Sequence, residues 1–354
     1  MHGTLLSSFK PVNVAVVGLG FMGTTHLRAH LRNPGARVVA VCSPTRKPVN
    51  GVLSGVSGNI QRSDNIRLEP SVKIFRQIED LLADSEVELV DICTPTALHA
   101  AQVIAALRAG KHVICEKPLA RTSKVAREIL TAATQSPGLL MPAMCMRFWP
   151  GWSWLRQVVS EKKHGKVLAA SFRRISEMPL WSRPDTFNAD SGGALFDLHI
   201  HDVDFINFVF GPPASVFSTG FVSPTGAINH VVTQYNYPDG PAVQAEGSWL
   251  LNQGFNMSYT FYCERATLDF DLACGADALI IIENGQRRVM PLENGDGYDA
   301  ELRYFVDCAA RGRQPETVTA KDSVTALEIC EAEETSLRTG RIVSCVFQNR
   351  DQPN

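Results

Sequence analysis

The chain's apolar pattern opens with Val14-Ala15-Val16-Val17, a run of mostly β-branched residues with no polar alternation. Such a run reads as a strand buried on both faces, as in a parallel sheet. It breaks at Gly18-x-Gly20-x-x-Gly23 and resumes at helical spacing through Leu27, Ala29 and Leu31, stopping at Asn33-Pro34-Gly35. The alternation then recurs. Strands are predicted at Arg37–Cys42, Lys73–Phe75, Leu89–Cys93, His112–Cys115 and Leu139–Met144, with helices over Gln77–Ala83, Ala97–Ala109 and Ser123–Thr134. Residues 48–70, rich in Gly, Ser, Asn and Pro, read as a short irregular helix and a surface loop. Alternating strands and helices predict a doubly wound parallel sheet over residues 1–145.

The pattern changes after Met146. An aromatic-rich helix over Gly151–Ser160 precedes strand-like runs at Val167–Ile175, Val216–Phe221, His230–Tyr237, Ala242–Leu250, Met257–Cys263, Ala266–Phe270, Ala278–Ile282 and Arg287–Met290. One helix, from about Ala194 to Phe210, interrupts them, and Tyr298–Arg311 and Lys321–Thr339 are helical at the end. Short connections with Asp239-Gly240 and Asn294-Gly295 predict a largely antiparallel sheet. The expected class is therefore α/β followed by α+β. A second domain over residues 146–354 would carry an open, mainly antiparallel sheet with flanking helices.

Composition narrows the partners. With 34 Lys and Arg against 36 Asp and Glu, the formal charge is -2, which offers no basic footprint for nucleic acid or an anionic membrane. Nine cysteines without C-x-x-C pairs suit a reducing compartment. Residues Met1–Lys10 lack the charged-then-apolar pattern of a secretion signal, and no apolar run approaches membrane-spanning length, so a cytoplasmic location is expected.

The glycine loop carries the first chemistry. Gly18 permits a tight turn, Gly20 lets backbone approach a pyrophosphate, and Gly23 lets helix and strand pack closely, with Phe21 and Met22 opening the helix. The helix N-terminus is an anion site, so the stretch predicts dinucleotide binding. The second strand ends in Ser43-Pro44-Thr45-Arg46-Lys47, without the acidic residue that suits the ribose of NAD. Ser43, Thr45 and Arg46 favour the 2′-phosphate of NADP over NAD, against a solvated basic turn as the plain alternative. Strand ends on the ligand side of such a sheet also carry Thr94-Pro95 and Glu116-Lys117-Pro118. An ammonium at Lys117 could hold a ribose or substrate hydroxyl, or simply sit in solvent.

The last constellation is Gly192-Gly193-Ala194-Leu195-Phe196-Asp197-Leu198-His199-Ile200-His201-Asp202-Val203-Asp204. Asp197 and His201 are four apart, so on a helix the carboxylate can orient the imidazole for acid/base work. The cluster also admits a metal reading through imidazole and carboxylate ligands, or a plain helix cap.

Together, the glycine loop, Thr94-Pro95-x-x-x-His99, Glu116-Lys117-Pro118 and Asp197-x-x-x-His201 resemble the glucose–fructose oxidoreductase, inositol dehydrogenase and MocA family. The resemblance covers about residues 12–210 by motif. It implies a Rossmann domain and an NAD(P)-dependent oxidoreductase of a sugar, cyclitol or related polyol. It implies no catalytic metal, and a homodimer or homotetramer formed through the C-terminal sheet. Residue by residue, Lys117 would contact the nicotinamide ribose and the reacting hydroxyl, His201 would exchange the hydroxyl proton, and Asp197 would orient His201. Thr94, Pro95, His99 and Glu116 would join Lys117 at the cofactor. Arg147, Trp181, Arg183 and Tyr298 match places of substrate contact. Ser43, where many relatives are acidic, and His199, a second imidazole, depart from the pattern. Two other readings fit the same motifs: a glycosidase that oxidises its substrate transiently on bound NAD, and a cofactor-sensing regulator without catalysis.

Overall fold

The apolar runs form two sheets in a computed structural model that describes residues 10–56, 58, 64–179, 191–293, 295–345 and 347. The chain clusters into two compact units, the first comprising residues to Ala120, Lys124–Phe148 and Gly295–Ala320, the second Arg121–Ser123, Trp149–Asn294 and Lys321 onward. The expected boundary after residue 145 left residues 295–320 in the second domain, whereas they cluster with the first unit.

In the first unit, strands β1 (Val12–Val17), β2 (Ala36–Cys42), β3 (Lys73–Phe75), β4 (Leu89–Ile92), β5 (His112–Glu116) and β6 (Leu140–Ala143) are joined by α1 (Phe21–Arg32), α2 (Ile78–Leu82), α3 (Thr96–Arg108) and α4 (Ser123–Thr134). All pairs are parallel, in the spatial order β3-β2-β1-β4-β5-β6. That order reverses direction at β1 and β4, the place where doubly wound sheets bind ligands. β1 is buried along its whole length, which explains its lack of polar alternation. Between β2 and β3 the described residues hold two short antiparallel strands, Val52–Leu53 and Ile66–Arg67, while residues 57 and 59–63 of the expected irregular helix and loop lie outside the described residues. Leu53, Ile66 and Leu68 face the core beside Val16, Leu19 and Leu27, and this burial fixes the hairpin.

The second unit contains α5 (Trp152–Ser160), a π-turn at Leu195–His199, α6 (Ile200–Phe210) and a nine-stranded sheet. Its strands are β7 (Val167–Ser176), β8 (Ser215–Val222), β9 (Ile228–Asn236), β10 (Ala242–Ser248), β11 (Phe255–Cys263), β12 (Thr267–Asp271), β13 (Leu279–Glu283), β14 (Gln286–Val289) and the short β15 (Val343–Ser344). The order is β14-β13-β12-β11-β7-β10-β9-β8-β15, antiparallel except for the pair β7–β10. Trp152, Phe172, Phe205, Tyr259 and Phe270 pack edge to face or tilted on one side of the sheet. Two helices close the chain: α7 (Gly297–Arg311), grouped with the first unit, and α8 (Ala320–Thr339), all but its first residue in the second.

Candidate active site

The carboxyl ends of β1, β2, β4 and β5 lie at one edge of the parallel sheet, and most cofactor-facing residues expected from sequence are there. Gly18 has φ 89°, and a Cβ on Gly23 would lie 1.8 Å from the Gly18 carbonyl oxygen, so only glycine lets α1 start this close to β1. A Cβ on Gly20 would meet nothing within 4 Å, leaving the backbone open to a ligand. No side chain caps α1 and no acidic residue stands in its first turn, so its N-terminal N–H groups and dipole suit an anion. The loop, with Phe21 and Met22 half-buried beside it, thus fits the pyrophosphate of a dinucleotide.

At the end of β2, Ser43 is buried and its Oγ accepts the Arg46 N–H at 3.1 Å. The Arg46 guanidinium donates to the Leu19 carbonyl in the glycine loop and to the Ser54 carbonyl at 2.7 Å. Thr45 is exposed.

The two remaining strand ends are tied together. His99 on α3 is 1% exposed, with Nε2 2.8 Å from the Thr94 carbonyl and Nδ1 2.9 Å from the Pro118 carbonyl. Burial lowers its pKa despite those two carbonyls. His99 therefore lies between the loop after β4 and the loop after β5, a neutral ring that donates its one N–H to one of the two carbonyls, and its expected place against the cofactor is corrected to a buried one. Thr94 Oγ1 donates to Gln102 at 2.6 Å, and Pro95 is exposed. Lys117 is half-buried, while the Glu116 carboxylate turns inward and accepts the Lys117 backbone N–H at 3.0 Å.

Behind this edge lies a buried polar cluster that the motif reading passed over. His26 and His30, four apart on α1, both bond Asp91 on β4, at 3.0 and 2.9 Å. His26 Nε2 also lies 3.1 Å from Glu116 Oε1. Cys93 Sγ donates to Asp91 at 3.3 Å. Burial opposes charge on His26, but Asp91 outweighs it and holds the imidazole well above its ordinary pKa. Burial likewise opposes ionisation of Asp91, and the two imidazoles overcome it, holding the carboxyl well below its ordinary value. Glu301 on α7 is fully buried, and desolvation pushes its carboxyl well up. The donor atoms of His26, Asp91 and Cys93 all lie within 4.8 Å, a spacing a metal could also use. Their separations of 3.0 to 3.4 Å are hydrogen-bond distances. Two signals marked the cluster in sequence: a His-x-x-x-His pair on one helix face, and an aspartate inside an apolar strand.

The second unit presents Asp197 and His201, both half-buried. They do not share one regular α-helix, as expected. Asp197 stands in the π-turn, and His201 in the first turn of α6. Such turns arise where an extra residue is accommodated in a helix. Here its surroundings pin it. Gly193, just ahead, bridges to Ile228 on β9, and the His199 ring packs on Gly247 of β10, where a Cβ would come within 2.6 Å. His199 Nε2 lies 3.1 Å from the Tyr235 hydroxyl and 3.5 Å from Glu333 on α8, all three buried. Asp202, next to His201, takes a two-pronged bond from Arg174 on β7, both contacts at 2.9 Å and both residues buried.

The loosely matched substrate contacts fare differently. Arg147 is 4% exposed and donates to the Thr317 carbonyl at 2.8 Å, a packing role inside the first unit. Tyr298 opens α7 with its ring 6.2 Å from that of His26. Trp181 and Arg183 lie outside the described residues.

Residues 12–144 match the Gfo/Idh/MocA "Oxidoreductase family, NAD-binding Rossmann fold", and residues 152–269 match the "GFO/IDH/MocA C-terminal domain". The chain belongs to the Gfo/Idh/MocA oxidoreductase family. Its similarity to trans-1,2-dihydrobenzene-1,2-diol dehydrogenase of Mus musculus is 27% identity over 273 residues, 73% of this chain and 80% of that one. With scyllo-inositol 2-dehydrogenase (NAD(+)) of Bacillus subtilis it shares 24% over 350 residues, 93% and 95% of the two chains. Among solved structures, levoglucosan dehydrogenase in complex with NADH superposes with a TM-score of 0.78 at 19% identity, over 95% of this chain and all of that one. These relatives place both sheets in one family architecture, and the family's nucleotide-binding half coincides with the glycine-loop edge.

Proposed function

We propose that the chain is a nicotinamide-dependent dehydrogenase or reductase of a sugar, cyclitol or related polyol, with His201 as its acid/base. What carries the reading is the uncapped, glycine-framed start of α1 at the ligand edge of the parallel sheet, in a chain of this family. The named relatives act on a dihydrodiol and an inositol, all hydroxyl-bearing rings. The glycine loop would hold the pyrophosphate, and Ser43 and Arg46 the adenosine ribose. The nicotinamide supplies the hydride acceptor or donor when bound.

The chain's own groups do the rest. The Lys117 ammonium donates to the reacting hydroxyl. The His201 imidazole takes its proton during oxidation and returns it during reduction, and the Asp197 carboxylate orients the ring. Arg46, already drawn to the loop carbonyl of Leu19, favours NADP: its guanidinium can exchange carbonyl partners for a 2′-phosphate. A homo-oligomer through the open face of the nine-stranded sheet is part of the reading, supported by half-exposed Phe217, Phe221, Tyr262 and Ile282.

The test is titration with NAD⁺, NADP⁺, NADH and NADPH, followed by a polyol screen. His201→Ala should lower turnover by about 10²–10⁴-fold without changing cofactor affinity. Arg46→Ala should weaken NADPH about 10- to 100-fold, the worth of a charged hydrogen bond, and spare NADH. A folded protein that binds none of the four would end the enzyme reading. A preference for NADH would remove only the NADP part.

A further inference from the structure

We infer that His26 is a positioning residue for Lys117, acting through Glu116 from a buried cluster that no motif of the family reading includes. The inference rests on the role proposed above for Lys117. The chain of contacts is short. Asp91, buried on β4, holds His26 by Nδ1 at 3.0 Å. The other ring nitrogen of His26 faces Glu116 Oε1 at 3.1 Å. The second oxygen of the same carboxylate receives the Lys117 backbone N–H at 3.0 Å.

Glu116 is thus flanked on both sides: one carboxylate oxygen accepts the Lys117 N–H, and the other, in a carboxylate 8% exposed, lies in ion-pair contact, off the line of a hydrogen bond, with an imidazole that is itself fully buried. A carboxylate so placed cannot swing out to solvent, and the peptide of Lys117 cannot rotate without losing a charge-assisted bond. His99 stands against the same loop, at the Pro118 carbonyl. The Lys117 side chain therefore leaves the sheet edge from a backbone contacted on both flanks.

Alternative uses of the cluster are weaker. The groups facing His26 are Asp91 and Cys93 on and after β4, Glu116 on β5, and Tyr298 and Glu301 on α7, with His30 sharing Asp91 from α1 itself. Asp91, His30, Glu116 and Glu301 are buried and Cys93 and Tyr298 half-buried, so the charged groups of the cluster are closed to a substrate. Its product is direction: it sets where Glu116, and then Lys117, can point.

The experiment compares wild type with Glu116→Gln, Glu116→Ala, His26→Gln and His26→Ala in the full chain, with thermal melts to establish the folded fraction. Glu116→Gln keeps an oxygen on the Lys117 amide but sets its NH2 against His26 Nε2, so it should lose less kcat than Glu116→Ala and His26→Ala, which should each lose about 10- to 100-fold, the usual cost of a misplaced reacting group.

Amine labelling read by mass spectrometry supplies a readout independent of turnover. Acetic anhydride should label Lys117 at a rate altered at least about threefold in Glu116→Ala and His26→Ala, with exposed Lys73 unchanged as the internal control. Unaltered Lys117 labelling in folded Glu116→Ala overturns the inference, whether or not a substrate has been found. Altered labelling in a protein with no dehydrogenase activity leaves the positioning intact and removes the reading of function. If His26→Ala does not fold, His26→Gln and the Glu116 pair carry the same comparison.

Discussion

Replacing Arg174 with methionine strips a buried carboxylate of its partner beside the proposed acid/base. Arg174 is 2% exposed and Asp202 wholly buried, and the guanidinium meets both carboxylate oxygens at 2.9 Å. The same guanidinium carbon lies 5.3 Å from the Trp152 ring centre. Methionine fills most of the volume, so little cavity is created, and the cost is that of an unpaired buried charge, about 3–5 kcal/mol. Loss of the contact with Trp152 adds about 0.5–1 kcal/mol.

At roughly 2–4 °C per kcal/mol for a unit of this size, the melting temperature should drop by about 7–24 °C at pH 8. Trp fluorescence melts report it, because Trp152 stands against the pair. The double variant Arg174→Met with Asp202→Leu, which leaves no charge behind, should recover most of the loss. A single variant within about 1 kcal/mol of wild type at pH 8, or no recovery in the double, would refute the reasoning.

Other outcomes follow from the first unit. Gly23→Ala forces a Cβ to 1.8 Å from the Gly18 carbonyl and should cost about 1–3 kcal/mol together with cofactor affinity, whereas Gly20→Ala meets no atom within 4 Å and should leave the melt unchanged while still weakening cofactor binding. Thermal melts beside nicotinamide fluorescence titrations separate the two. For pH, Asp91, held low, contributes stability that is present above about 3.9 and lost as pH falls through its lower folded value. His26, held high, contributes fully below about 6.5 and loses it as pH rises through its higher folded value. Glu301, whose folded pKa is raised, tilts stability downward above about 4.3, so Glu301→Gln should flatten the alkaline side of a melting-temperature profile between pH 4 and 9.

How much of this was legible in the residues depended on range. β1, α1 and the glycine loop were readable because a buried parallel strand and a helix start each leave a local pattern. The doubly wound parallel sheet followed from the alternation of strands and helices, whereas its strand order came only with the fold. The hairpin inside residues 48–70 was not readable: its two strands are two residues each, too short for any period. The return of α7 to the first unit was hidden for another reason. Its amphipathic spacing shows that one face is buried but not against what. The site divides the same way. Gly18, Gly20, Gly23 and Lys117 announced themselves by position in a motif. His99 and Glu116 did too, but their side chains turn inward to carbonyls, an amide and an imidazole. Only the fold shows that direction. The π-turn was equally hidden, since what pins it lies on β9, β10 and α8, far away in the chain.

Both units place buried charge directly behind a half-buried group to which the proposed function gives a chemical role. In the first, Asp91 and His26 stand behind Glu116 and Lys117; in the second, Arg174–Asp202 and His199–Tyr235–Glu333 flank His201. Stability alone does not account for this. Desolvating such pairs costs about as much as their attraction returns, and apolar residues of equal volume would hold a fold as well. What an ion pair adds is angle. A two-pronged Arg174–Asp202 contact fixes the rotation of α6 at its first turn, and the His199 ring, pressed on Gly247, fixes the turn before it. His201 is carried on backbone held by these two neighbours, so its imidazole has few directions available. A group with the role proposed for His201, exchanging a proton with one hydroxyl, needs that restriction more than it needs extra stability, because a displacement of about 1 Å can cost about 10²-fold in rate.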